Sequence, residues 1–365
     1  MKSTLLNSVI ALLFVVIGVS CDSEPAGVSL KESLDKGVKE LNAAVDKIKT
    51  SADFQLLSQN DESAATGMAK APAFSEWYFM PNDTVMITLD KVAGIYDYSW
   101  QRVKTNNPYY RFFTKTGESE YMIVRLPVQK VRHPAAMFWH QKADTALTNN
   151  FEAKVTDYYV FRNRKAGNEY RLTSDFSIDN AQIGSLTELS SRNKVNGYNA
   201  SSVYTLASGY TVSRTENSGD TAVSAYAISE GDKILYEEKM TSVRLTDKKI
   251  RYREKTYSLT VGNVKIVRNL KPESMDSAQV YLNGVLQTNS KVEIIVIQPD
   301  SLNQCLTHAT RDLKITLDDG TSTTLKTLMN ETIDGIQQIF RSVQQARFTT
   351  DIIDRIAWNI YSRKK

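Results

Sequence analysis

The sequence predicts a mainly β protein, an antiparallel meander in the form of a sandwich or an open half-barrel, with an amphipathic helix ahead of it and two helices behind. Three observations carry this expectation. Between residues 151 and 268, runs of β-branched and aromatic residues alternate with turn signals at Gly167-Asn168, Asn196-Gly197, Ser218-Gly219, Gly231-Asp232, Thr246-Asp247 and Gly262-Asn263. The apolar spacing changes to threes and fours near residue 30 and again after residue 325. No internal repeat points to a solenoid or propeller.

In chain order, Ser29-Leu30-Lys31-Glu32 fits a capping box, and Leu34, Val38, Leu41, Val45 and Ile48 form one apolar seam on a helix of about five turns. That seam suits a coiled-coil partner or, more simply, a helix lying on its own domain. Residues 50 to 72 lose periodicity and read as a linker. Strands are expected over 85–89, 94–100, 109–114 and 121–128, with Pro108 and Pro127 at strand ends where a missing donor is tolerated. Residues 134 to 141 read as a loop or short helix. After Lys271-Pro272, Asn283-Gly284 marks a tight hairpin within 280–286, because that dipeptide suits the positive backbone angles of a type I′ turn. A strand at 291–297 and a turn at Asp318-Asp319-Gly320 follow. The tail then offers one helix through Leu325, Ile333, Ile336, Ile339 and Val343, and a second through Ile352, Ile353, Ile356 and Ile360. Arg363-Lys364-Lys365 places positive charge at its carbonyl end. The expected organisation is a leader over 1–20, a tether with helix and linker over 21–72, a β domain over 73–270 and a hairpin region with helices over 271–365.

The leader sets the location. Lys2 precedes an apolar run from Leu5 to Val19, which is short for a permanent membrane span and is stopped by Asp22-Ser23-Glu24-Pro25. With Gly18-Val19-Ser20 ahead of Cys21, the segment resembles a bacterial lipoprotein signal. The resemblance implies cleavage before Cys21 and acylation of that cysteine with chains such as palmitate. Each buried methylene contributes about 0.8 kcal/mol, so two or three chains anchor stably. Gly18 departs from the larger aliphatic residue common at that position. The implied place is the cell envelope, at the outer membrane on its periplasmic or surface face. Asp22 favours inner-membrane retention in some bacteria, whereas Ser23-Glu24 resembles surface-export signals in others.

The chain has 45 Lys and Arg against 41 Asp and Glu, a net charge of +4, which is too mild to imply nucleic acid. Its cysteines are Cys21 and Cys305; with Cys21 acylated, Cys305 is expected as a small buried hydrophobe. The three histidines, His133, His140 and His308, lack metal-ligand spacing, and no nucleophile elbow, phosphate loop or dinucleotide fingerprint is present. Neither metal nor cofactor is expected, and an enzyme is disfavoured.

Two patterns suggest surfaces. Tyr96, Tyr98 and Trp100 alternate, so their rings share one strand face; they could stack on sugar rings, or form the core face of that strand. Lys249, Arg251, Arg253 and Lys255 also alternate, and a two-residue loop at Asp247-Lys248 would set Arg244 opposite Arg251. Such a stripe suits an anionic lipid headgroup, phosphate or acidic glycan, or a solvated face that discourages aggregation.

Five Asp-Ser/Thr-aliphatic triplets resemble the sequon of a general O-glycosylation system of some Gram-negative secreted proteins. That resemblance implies glycans on Thr84, Thr145, Thr221, Ser277 and Ser301. Three functions compete: a tethered binding or assembly protein for a glycan or envelope protein, a half-barrel carrier of lipid or acyl chains, and a surface glycan hydrolase. The first is the expected one, with the membrane as partner through the anchor.

Overall fold

The computed structural model describes residues 29–58, 84–99, 112–132, 146–163, 165–195, 197–244, 253–270, 278–297, 310–345 and 347–363. Cys21, Trp100, Thr145, Lys249, Arg251, Ser277, Ser301, Cys305 and the three histidines lie outside the described residues, as does the side chain of Arg253.

Local chemistry sets the first helix. The Ser29 hydroxyl accepts from the Glu32 amide at 3.2 Å and the Glu32 carboxylate accepts from the Ser29 amide at 3.1 Å, closing the capping box of α1 (Leu30–Thr50). The seam residues Leu34, Val38, Leu41, Val45 and Ile48 are all buried in this same chain. A second helix, α2 (Ala52–Ser58), follows at once and buries Phe54 and Leu56, so the stretch expected as linker begins with a packed turn. Its start is held by Ser51, whose hydroxyl accepts from the Phe54 amide.

The β elements are β1 (Val85–Thr88), β2 (Gly94–Tyr98), β3 (Phe113–Gly117), β4 (Met122–Leu126), β5 (Phe151–Asn163), β6 (Gly167–Ile178), β7 (Ala181–Asn193), β8 (Gly197–Leu206) and β9 (Tyr210–Ser218). They continue as β10 (Thr221–Glu230), β11 (Lys233–Arg244), β12 (Arg253–Val261), β13 (Val264–Asn269), β14 (Ala278–Leu282), β15 (Val285–Leu286), β16 (Lys291–Ile297), β17 (Thr310–Thr316) and β18 (Ser322–Thr324). Short helices α3 (Leu89–Val92) and α4 (Val128–Arg132) interrupt the early strands, and α5 (Leu325–Gln345) and α6 (Arg347–Arg363) close the chain. All strands belong to one open sheet. From β4 to β14 each strand pairs antiparallel with the next, β1 shares an edge of β5 with β4, and β2 alone runs parallel to its neighbour β4. The fold is therefore a mainly β, antiparallel meander with helices at both ends, and it is one sheet instead of two stacked ones. The sheet also runs on from β13 to β14 across the expected boundary at residue 270.

The turns explain the long, regular strands. Asp179 and Asn180 both adopt positive φ, 50° and 66°, and join β6 to β7 without a glycine, because a short polar side chain tolerates that region. Asn283-Gly284 adopts it as well, at 50° and 78°.

The core lies on one face of this sheet, under the helices. Gly37 of α1 brings helix backbone against the sheet, since a Cβ there would stand 3.1 Å from the Val261 carbonyl oxygen. Gly335 of α5 packs closer still, where a Cβ would fall 2.5 Å from Val45 of α1. α5 bends at Met329, whose φ of −118° is not helical. A second cluster joins Leu30 and Leu34 to Val264, Ile266, Val280 and Ile315, seating the start of α1 on the later strands.

Candidate functional site

Ladder registers place the helix-bearing face in rows that cross the strands. One row, Ser174, Leu186, Tyr204, Val212, Ile228 and Tyr236 from β6 to β11, is buried throughout. The next row reads Leu172, Glu188, Ser202, Arg214, Tyr226 and Glu238, and the one beyond it Tyr170, Ser190, Ala200, Glu216, Ser224 and Met240. From β7 to β11 these two rows are half-buried. A rim of Arg192, Tyr198, Ser218, Ala222, Ser242 and Lys255 lies furthest from the helices in row order. Every charged residue of β7 to β10, namely Glu188, Arg192, Arg214, Glu216 and Glu230, has the parity of this face. The opposite face of those four strands carries only uncharged residues such as Thr187, Ser201, Thr215 and Ala225. A half-buried sheet ordinarily shows the reverse, with its charges turned away from the apolar side.

The helices end their cover at two named points. Phe340 of α5 meets the Tyr226 ring edge-on at 5.3 Å and the Tyr236 ring at 6.4 Å, and with Val343 it bounds a cleft of about 20 Å³ against Ser202, Val212, Arg214 and Tyr226. On the other side, Asp354 of α6 accepts from the hydroxyls of Tyr158 at 2.8 Å and Tyr170 at 3.3 Å. Burial raises the Asp354 carboxyl well above its ordinary range, although both tyrosine bonds oppose that shift. Arg162, 8% exposed, has its pKa lowered by burial, against the pull of Asp354, Tyr158 and Tyr170.

Within the uncovered rows, Arg214 binds the Glu216 carboxylate through Nε at 3.1 Å and through Nη2, and its guanidinium lies 5.4 Å from the Tyr226 ring centroid. Burial works against its charge, but Glu216 with Tyr226 and Tyr198 close by outweighs it and raises the pKa. Glu238 accepts from the Tyr236 hydroxyl at 3.3 Å. Burial first, and then Glu238, raises the hydroxyl pKa of both Tyr236 and Tyr257. The result is a surface of tyrosine, serine, one arginine and several carboxylates on rigid strands. Such a surface combines rings with adaptable hydrogen-bonding groups at low entropic cost.

The aromatic row is corrected by its burial. Tyr96 and Tyr98 are 2% and 7% exposed, so their rings belong to the core and do not form an open stacking face. Tyr98 packs against Phe112 and Phe113, each at 6.0 Å, and the Tyr96 hydroxyl donates to the Val92 carbonyl at 2.9 Å. Large apolar rings gain more from burial than from exposure on a short strand. Of the basic stripe, Arg244, Lys255 and the backbone of Arg253 fall among the described residues. Arg244 stands opposite Arg253, not Arg251, so the register is two residues off the one that a loop at Asp247-Lys248 would set. A shift of two preserves parity, so Arg244 and Lys255 remain on the helix-bearing face and two arginines still oppose each other. Arg244 has Asp220 at 4.0 Å as counter-charge. Thr84 and Thr221 are exposed, and the Thr84 hydroxyl accepts from Asn163 at 2.8 Å.

Sequence reasoning missed Arg214, Glu216, Tyr226, Glu238 and Asp354. A signal was present in β9, where Tyr210, Val212, Arg214 and Glu216 alternate, so the charges continue the parity of the apolar residues. Among the described residues no His, Cys, Asp and Glu group of three or more suits a metal ion. No helix among them is long and apolar enough to cross a membrane, which says nothing of strands.

Fold and site together define an open antiparallel meander, roofed by helices over part of one face and polar over the remainder. No family model, curated protein or solved structure compared with the chain matches it.

Proposed function

We propose that this chain is a lipid-anchored, extracytoplasmic binding or assembly protein of the bacterial cell envelope, which holds a glycan or protein partner on the uncovered rows of its helix-bearing face. The observation that carries the reading is the placement of every charged residue of β7 to β10 on that face, with Glu188, Arg214 and Glu216 half-buried beside tyrosines and serines and Arg192 and Glu230 exposed. Charges held against an apolar face cost desolvation unless something polar meets them, and a bound partner meets them more durably than bulk water. The leader ending at Cys21 supports tethering. The apolar rows that would line an acyl-chain cavity lie under α1, α5 and α6, which favours a polar ligand over a carried lipid.

The test is retention of the mature chain on an array of oligosaccharides and purified envelope proteins, compared with Arg214→Ala/Tyr226→Ala. Loss of at least tenfold in retention by the double variant, with retention kept by Phe340→Ala, which breaks the same ring contact from the helix side, is the expected result. Equal retention by both proteins would place the ligand elsewhere and overturn the proposal.

A further inference from the structure

The rim offers a second level of selection beyond the rows beneath it. Arg192 on β7 and Lys255 on β12 occupy the rim row of the helix-bearing face, and Arg244 on β11 follows one step beyond it. All three are exposed. Five strand spacings separate β7 from β12, roughly 24 Å along the sheet. Between these cations the rim is uncharged, with Tyr198, Ser218 and Ala222, and Asp220, itself 92% exposed, lies 4.0 Å from Arg244. One row inward stand Glu216 and Tyr257 among Ser190, Ser224 and Met240, and two rows inward Glu188, Tyr226 and Glu238 flank Arg214, the cation that binds Glu216; carboxylates thus outnumber cations inside the rim.

We infer that the ligand is an acidic oligosaccharide lying across the strands, its anionic groups at Arg192, Arg244 and Lys255 and its hydroxyls toward Glu216, Glu238 and the serines. This rests on the binding reading above and names the class of its ligand. Carboxylates accept hydrogen bonds from sugar hydroxyls, tyrosine faces take sugar rings, and exposed Arg and Lys supply the charge that a uronate or phosphate needs. An anionic bilayer fits less well. It would meet cations projecting from one plane, whereas here the cations share a face with carboxylates and converge on the same surface.

A galacturonate tetramer and its methyl-esterified form separate charge from shape, since the ester keeps every ring and removes the negative charge. Titrated into the mature chain, the acid form binds at least tenfold more tightly than the ester. Arg244→Ser/Lys255→Ser, at two exposed positions, loses at least tenfold in affinity for the acid form, flattens its salt dependence and leaves the thermal midpoint unchanged. Equal binding of acid and ester would overturn the acidic class while sparing the glycan-binding reading. Binding of phosphatidylglycerol vesicles with no binding of either tetramer would overturn it in favour of a lipid surface, and no binding of any probe overturns it as well.

Discussion

The Tyr158 hydroxyl donates to the Asp354 carboxylate at 2.8 Å, joining β5 to the last helix across 196 residues of sequence. Tyr170 reaches the same oxygen at 3.3 Å, so one carboxyl under the helix roof gathers two neighbouring strands. This contact ties the last helix to the β5–β6 end of the sheet, beside the half-buried rows of β7 to β11.

Asp354→Ala removes the acceptor of the buried Tyr158 hydroxyl and a hydrogen bond of Tyr170, and is expected to cost roughly 1–3 kcal/mol in urea unfolding. Asp354→Asn keeps an acceptor oxygen and is expected to be far milder. Stability equal to wild type in the alanine variant would contradict the role of this contact.

The pH dependence follows from the same group. Burial raises the Asp354 pKa above its unfolded value, so the native state holds a proton that the unfolded chain gives up. Its contribution is complete below the ordinary aspartate value and is lost as pH rises through the folded one. As pH rises above the ordinary aspartate value of about 4, Asp354→Asn should therefore lose less stability than wild type does. Parallel stability curves for the two proteins would show that this carboxyl does not titrate differently on folding.

Gly335 marks the crossing of α5 over α1. Alanine there gains helix propensity of about 1 kcal/mol but sets a methyl 2.5 Å from the Val45 Cγ1, a stiff β-branched side chain that is 3% exposed. Overpacking should win, giving a net loss of about 1–2 kcal/mol. Val45→Ala in that background should recover part of it, and strictly additive losses would contradict the close crossing.

Tyr96→Ala should cost about 3–5 kcal/mol without changing ligand retention, as expected of a core ring. Loss of retention at unchanged stability would return the aromatic row to the ligand surface.

The anchor has its own test. Labelled palmitate should enter the full chain in a Gram-negative host, and Cys21→Ser should abolish the label and release the protein from membranes. Persistent labelling of the serine variant would remove the lipoprotein reading.

Much of the fold was legible because its signals are local. Ser29 and Glu32 announce a helix start, Asn283-Gly284 announces a hairpin, and the apolar period separates α1, α5 and α6 from the strands between them. Asp179-Asn180 was harder to see, since its positive backbone angles come without a glycine. The stretch after Thr50 was masked by polar composition, although Phe54 and Leu56 fold it into α2. The candidate site was less legible than the fold. Its rows are made by cross-strand register, which brings Glu188, Arg214 and Glu238 into line from three strands, and no single segment reveals that alignment. Asp354 joins its tyrosines only through the return of a helix from the far end of the chain. The alternation of basic residues was visible because it lies in one stretch of sequence, yet the register that sets Arg244 opposite Arg253 is a pairing between two strands, which composition does not fix.

The central claim is that the uncovered rows meet the ligand, and hydroxyl-radical footprinting tests it without knowing the ligand's identity. The full-length protein in intact cells that express it is compared with the same protein purified in detergent. Protection of Tyr198, Tyr226, Met240 and Tyr257 in the cells, with Tyr159 and Leu189 on the opposite face equally reactive in both, is the predicted result. Protection confined to the opposite face, with Tyr198 and Met240 unchanged, would contradict the account.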